Sequence, residues 1–175
     1  MKKFKLLLLD ANIVIHLFRI GIWDRVVEQC DVHLARTVLN EAHFFLDDQG
    51  QRCDFDLSPY AQAGSISVFD LEPSDLSAFR NQFDAIYIEQ LDDGETESLA
   101  YLLNSPQDFR ICSADAIVFR VLGALHRRDQ GISLEEVLQQ IGSGRPLSRQ
   151  FTKAFRDEWT RKGFEEGMRG IGVKS

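Results

Sequence analysis

Residues 4–19 read FKLLLLDANIVIHLFR, and the change of pattern at Asp10 decides how the chain begins to fold. FKLLLL (4–9) is a short apolar run of the kind found in a strand covered on both faces. Beyond Asp10 the spacing turns helical: Ile13, Leu17 and Ile20 share one stripe, with Val14 beside it. The same grammar returns at 109–125, FRICSADAIVFRVLGAL, where the strand FRICS leaves through Ser113-Ala114-Asp115 into a strongly apolar helix. Two strands that each end in an aspartate and run into a helix imply a parallel sheet with helical crossovers.

The rest of the chain extends this alternation. A second helix is expected over roughly 22–30, after Gly21, and a brief strand VHLA at 32–35. Thr37 is the expected N-cap of a helix over 37–47 with Val38, Ala42 and Phe45 at helical spacing. Residues 47–64, with Gly50, Pro59 and Gly64, read as loop with a turn of helix. SISVFDL (65–71) alternates as a strand does, and Ser74 is placed as the cap of a helix through DLSAFRNQF. A helix over 94–104 carries ETESLAYLL, and Ser133 with Glu136 forms a capping box that opens SLEEVLQQIG. GSGRP (142–146) is the expected linker; after it Leu147, Phe151, Phe155 and Trp159 recur every four residues, which predicts an amphipathic C-terminal helix. The expected fold is therefore α/β: a three-layer sandwich with a mostly parallel central sheet flanked by helices over 1–142, plus a C-terminal helical extension over 143–175.

Composition sets bounds. The chain has 175 residues, 44% hydrophobic and 27% charged, which suits one ordinary core and argues against disorder. The net charge of -7 is unevenly spread. From Arg145 onward there are eight Lys/Arg against four Asp/Glu, whereas the first 144 residues hold 12 against 23, so an acidic body precedes a basic tail. Cys30, Cys53 and Cys112 lack metal-ligand or redox spacing and read as reduced thiols of a cytoplasmic protein, two of them in the core. The opening lysines and leucines resemble a signal peptide, but Asp10 interrupts the run and no small-residue cleavage site follows. No segment approaches membrane-spanning length.

The acids are the chemistry-bearing residues. In a parallel sheet, ligands bind at the carboxyl ends of the strands. Asp10 and Asp115 both fall there, with Asn12 and Ser113 as polar neighbours able to support a carboxylate or a metal-bound water. Glu41 lies in the expected helix 37–47; Glu95 opens the helix 94–104, with Glu97 two residues on and Asp92 and Asp93 just before. Each has an ordinary alternative, since aspartates cap helices and first-turn acids complement the helix dipole. Several carboxylates crowded at one edge would either take up protons or recruit a divalent cation. Oxygen ligands without a thiol or clear imidazole partner favour Mg²⁺ or Mn²⁺. One ion, or two roughly 4 Å apart, would activate water and stabilise charge on a phosphoryl group.

LLLLDANIVIHLF (6–18), RTVLNEAHFF (36–45), LDDGETESLAYLL (91–103) and ICSADAIVFRVLG (111–123) resemble, in order and spacing, the four acidic motifs of the PIN-domain ribonuclease family. The likeness covers residues 4–125. It implies a metal-dependent endoribonuclease in which Asp10, Glu41, Glu95 and Asp115 bind the Mg²⁺ or Mn²⁺ and carry catalysis, with Asn12, Ser113 and Glu97 in support. It further implies an RNA substrate, pairing as a homodimer and, as in many bacterial members, a toxin role with a small antitoxin protein as partner. Two features depart from the pattern: Glu95 stands where many members have Asp, and the segment after Gly142 matches none of the family's motifs.

Other residues carry blander expectations. His16, His33, His43 and His126 are scattered, and Trp23 and Trp159 are read as packing residues. Arg145, Arg149 and Lys153, four apart, are expected on one face of the last helix as a candidate phosphate track. A rival reading keeps the fold without the chemistry, as an interaction or regulatory module acting through its C-terminal helix. A third, a phosphatase with Asp10 as nucleophile, lacks the second acid of an Asp-x-Asp motif, because Asn12 occupies that position.

Overall fold

A computed structural model describes residues 3–8 and 10–174. Leu9, the last residue of the expected first strand, lies outside the described residues, as do Met1, Lys2 and Ser175 at the ends of the two expected segments. The chain runs through β1 (Phe4–Leu8), α1 (Ala11–Arg19), α2 (Trp23–Gln29), β2 (Cys30–Ala35), α3 (Arg36–Glu41), β3 (Phe44–Leu46), β4 (Arg52–Asp54), α4 (Ser58–Gln62) and β5 (Ile66–Phe69). It continues through α5 (Pro73–Arg80), α6 (Ala85–Ile88), α7 (Asp93–Asn104), β6 (Phe109–Cys112), α8 (Ala116–Ala124), β7 (Gly131–Ile132), α9 (Leu134–Gln140) and α10 (Lys153–Met168), with 3-10 turns at Arg128–Gln130 and Arg149–Phe151.

Five strands form one parallel sheet in the order β5-β2-β1-β6-β7, flanked by helices. The chain starts in the middle, steps outward through β2 to β5, then returns to the other side of β1 for β6 and β7. The connections therefore leave β1 and β6 in opposite directions, and the seam between these two strands is the topological switch point where open α/β sheets open a crevice. Burial explains why β1, β2 and β6 are central. Leu6, Val32, Leu34, Phe109 and Ile111 are fully buried, and among the described residues they join a single apolar cluster with Ile13, Val14 and Leu17 of α1 and Val118, Val121 and Leu122 of α8.

The expected helix over 37–47 is shorter than its spacing suggested. It begins at Arg36 and ends at Glu41, and Ala42 turns extended at φ -86, ψ 94. Thr37 is not its N-cap; that position is Ala35. The aromatic stretch Phe44–Leu46 instead pairs antiparallel with Arg52–Asp54. Asp47 makes the hairpin turn, its Oδ1 accepting from the N–H groups of Gln49 and Gln51, and Gly50 supplies the left-handed residue at φ 75. β-Propensity and turn chemistry outweigh a weak helical period here. Ser74 likewise is not a cap. Pro73 takes the first helical position, which suits its missing N–H, and moves the N-cap to Glu72.

The segment after Gly142 packs on the core through the expected aromatic repeat, Phe155 meeting Phe119 of α8, and touches α8 most closely through small residues. Leu147 and Phe151 precede α10, and Phe155 and Trp159 are half-buried, whereas Thr160 and Gly163 are buried. A Cβ on Gly163 would stand 1.9 Å from the Arg120 carbonyl oxygen, and one on Gly123 would stand 2.0 Å from that of Thr160. The two backbones thus touch directly. Arg120, buried at the crossing, pairs with Glu166 at 3.0 Å, and the Tyr87 hydroxyl donates to the same carboxylate at 2.7 Å. The tail then runs along the segment between α5 and α6: the Asp84 N–H donates to Gly172 O, the Lys174 N–H to Gln82 O, and Gly172 lies against the Tyr87 ring.

Gly163→Ala should therefore cost roughly 2 kcal/mol or more of stability by overpacking a backbone-to-backbone crossing. Gly144→Ala, whose Cβ would meet Gln139 at an ordinary 3.5 Å, should be close to neutral. Urea unfolding of the two variants checks the contrast.

Candidate active site

The carboxyl edge of the β1–β6 seam is built by three helix starts. Asp10, 6% exposed, caps α1 by accepting the Ile13 N–H on Oδ1 at 2.9 Å. Asp115 caps α8 by accepting the Ile117 N–H at 3.2 Å. Asp92 and Glu95 form a reciprocal capping box at the start of α7: the Glu95 N–H donates to Asp92 at 2.7 Å, and the Asp92 N–H donates to Glu95 at 3.1 Å.

Ser113 joins two of these starts. It is fully buried one residue past β6, donates its hydroxyl to Asp10 Oδ2 at 3.3 Å, and accepts the Asp115 N–H at 2.9 Å. Asp10 and Asp115, 105 positions apart in sequence, are thus held at one edge through a single hydroxyl. Glu97 belongs to a second link. Both its oxygens accept from the Thr37 hydroxyl at 2.9 Å, which ties α7 to α3 and brings in the helix that ends at Glu41. Glu41 itself is exposed at the rim, and Asn12 points to solvent from the first turn of α1.

The carboxyls of this edge feel one another's charge. Burial pushes the Glu95 carboxyl up to about 8, and the negative charges of Asp92, Asp115 and Asp10 add to the rise. Burial also raises Asp10; hydrogen bonds from the Ile13 backbone and Ser113 oppose the shift, and Asp92 adds to it. Glu41 is raised by desolvation and by Asp92, Asp93 and Glu97. The field of Asp92, a residue that sequence reading left in the background, thus reaches Asp10, Glu41 and Glu95, whereas Glu41 stays at the rim, away from the Ser113 link. A signal for Asp92 was available: Asp92-Asp93-Gly94-Glu95 has the cap-x-x-Glu spacing used to find Ser133. Thr37 was read as a cap, and nothing in sequence pairs it with Glu97.

The donor set is all oxygen and mutually repelling, which fits a hard divalent cation in chemistry. Among the described residues, no group of three or more His, Cys, Asp or Glu stands ready in ligating geometry. Cys30 and Cys112 are kept as buried thiols: burial pushes the first up to about 12 and raises the second well above its ordinary value. Arg145, Arg149 and Lys153 do not share one helix face. Arg145 lies in extended chain and reaches Ile20 O, Arg149 sits in a 3-10 turn paired with Glu158 at 2.7 Å, and only Lys153 belongs to α10. No helix among the described residues is long and apolar enough to cross a membrane. Comparison with protein-family models, curated proteins and solved structures returns no match.

The raised Glu95 has a thermodynamic consequence with a definite sign. Between the ordinary 4.5 and about 8, the folded chain holds a proton that the unfolded chain has released. The unfolded state therefore binds fewer protons there, and stability falls as pH rises through that window. In EDTA, Glu95→Gln, which keeps the capping box, should match the wild-type melting temperature near pH 4.5 and exceed it increasingly toward pH 8. Parallel melting curves across pH read the effect; curves that stay parallel would show that Glu95 ionises normally.

Proposed function

We propose that this chain is a PIN-like, metal-dependent endoribonuclease that hydrolyses RNA phosphodiesters. The observation that carries the reading is the convergence of Asp10, Asp115 and Glu95 on the switch-point edge, two of them joined by Ser113. Asp10, Glu95 and Asp115 are the residues to hold Mg²⁺ or Mn²⁺, with Glu41 and Glu97 at the rim and Asn12 within reach of solvent. A cation bound there supplies an activated water and stabilises charge on the phosphoryl group.

The chain's own residues prepare that chemistry. The Ser113 hydroxyl and the Ile13 N–H fix the Asp10 carboxylate against rotation, and Thr37 fixes Glu97. Glu95 keeps its proton until about pH 8 and must give it up to become a ligand, so cation affinity should rise with pH. The toxin role, with an antitoxin as inhibitory partner, and pairing as a homodimer rest on the likeness of the four motifs. The unbonded Cys30, Cys53 and Cys112 suit a reducing cytoplasm.

One observation favours a second reading. Asp10, Asp115 and Glu95 all perform helix-capping work, which would preserve them in a PIN-like interaction module without activity. Purified protein with single-stranded RNA and Mn²⁺ separates the two. Cleavage should fall by at least roughly 100-fold in Asp10→Asn. Equal cleavage by both proteins rejects this active site, and calorimetry without divalent-ion binding favours the module.

A further inference from the structure

A cavity of about 820 Å³ lies away from the carboxylates, between the end of α8, the turn that follows it, and α10. Its wall carries Arg128, Lys153, Arg156 and Arg161 against only Asp129 and Asp157. A local positive surplus on a chain of net charge -7 is a place where phosphate can settle while the acidic body repels it.

The cations differ in how far they are committed. Arg156 is spent on structure: it is largely buried, donates to Gly131 O at 3.1 Å, and pairs with Glu136 at 3.2 Å and Asp157 at 2.9 Å. Arg128 meets only its neighbour Asp129, at 3.8 Å, and both are almost fully exposed. Arg161 makes an exposed pair with Glu165 one helical turn away, a contact of small strength. The Lys153 ammonium has no ion pair among the described residues. Three exposed cations therefore face open solvent from two elements.

Aromatic surface lies beside them. Phe164 is 43% exposed on the cavity wall, with the His126 ring edge-on to it at 5.3 Å. His126 is the one positive-φ residue other than glycine among those described, at φ 57, and it ends α8 where glycine would be less strained. A side chain kept at that backbone cost shapes the groove. Cations that follow a backbone, interleaved with an exposed ring, are the design of a surface for single-stranded nucleic acid. An acidic peptide would be served by the cations alone and would leave Phe164 without a role.

We propose that this groove is a docking site for single-stranded RNA, with phosphates on Arg128, Lys153 and Arg161 and a base against Phe164. The proposal deepens the ribonuclease reading by giving the substrate a holding site apart from the acids, and it rests on that reading for the identity of its ligand. It also reassigns the expected phosphate track: Lys153 stays, while Arg145 and Arg149 give way to Arg128 and Arg161.

Fluorescence anisotropy of a labelled 15-nucleotide oligouridylate in EDTA tests binding without cleavage. Wild type should bind, with affinity falling steeply as salt rises. Lys153→Ala combined with Arg161→Ala should bind roughly 10-fold more weakly or worse, with the log–log salt slope reduced by about 1.4 for two lost phosphate contacts. Phe164→Ala should lose about 5-fold or more with the slope unchanged. All three positions are exposed, and matching melting temperatures confirm that the variants fold. Wild-type affinity in the double variant, or no binding by wild type, overturns the groove. Displacement of the oligonucleotide by oligoglutamate at equal charge, with Phe164→Ala silent, assigns the groove to an acidic protein partner and likewise overturns the RNA proposal. Groove-dependent binding without cleavage in Mn²⁺ leaves the docking site standing and removes the nuclease reading alone.

Discussion

The Ser113 hydroxyl is the contact on which the arrangement of the site depends. It spans the exits of β1 and β6, donating to one aspartate and accepting from the backbone of the other. A parallel sheet that starts in its middle leaves these two exits side by side, with helices departing in opposite directions. The topology makes the crevice, and one buried hydroxyl sets its register.

Crowding acids at that crevice has a cost, and the fold meets part of it with helix starts. The N-termini of α1, α7 and α8 all aim N–H groups at carboxylates, which offsets some repulsion and desolvation. The offset is incomplete. Asp10 and Glu95 remain raised because burial outweighs the hydrogen bonds they accept. Under the proposed function, that balance is what would let a cation displace the Glu95 proton. Opposite in kind is the groove between α8 and α10, where cations sit exposed and loosely paired. In the proposed reading, acid edge and basic groove divide between them the two demands of a polyanionic substrate.

Local signals carried the sheet, and long-range ones did not. The strands at Asp10 and Asp115 were legible because apolar run, aspartate and helical stripe follow each other within a few residues. The capping box at Ser133 was legible for the same reason. The hairpin at Phe44–Asp54 was not, since Val38, Ala42 and Phe45 mimic a helical period across a chain reversal. β7 is two residues long and α6 four, too short to carry any period. The aromatic repeat marked the buried side of the C-terminal segment, with Phe151 in the core and Phe155 against Phe119 of α8, but the closest approach to α8 is made at Thr160 and Gly163, residues with no hydrophobic signature. Within the site, the acids were legible one by one, but the Ser113 bridge, the Thr37–Glu97 link and the central place of Asp92 exist only once the chain has folded.

Diffraction from crystals grown with Mn²⁺, recorded for anomalous scattering at the manganese edge, addresses the acid edge itself without recourse to activity or to RNA. A strong anomalous peak within coordination distance of Asp10, Glu95 and Asp115 is the expected result. A map with no manganese there, while the Asp92–Glu95 capping box and the Ser113 bridge remain intact, would mean that these carboxylates cap helices and do nothing more.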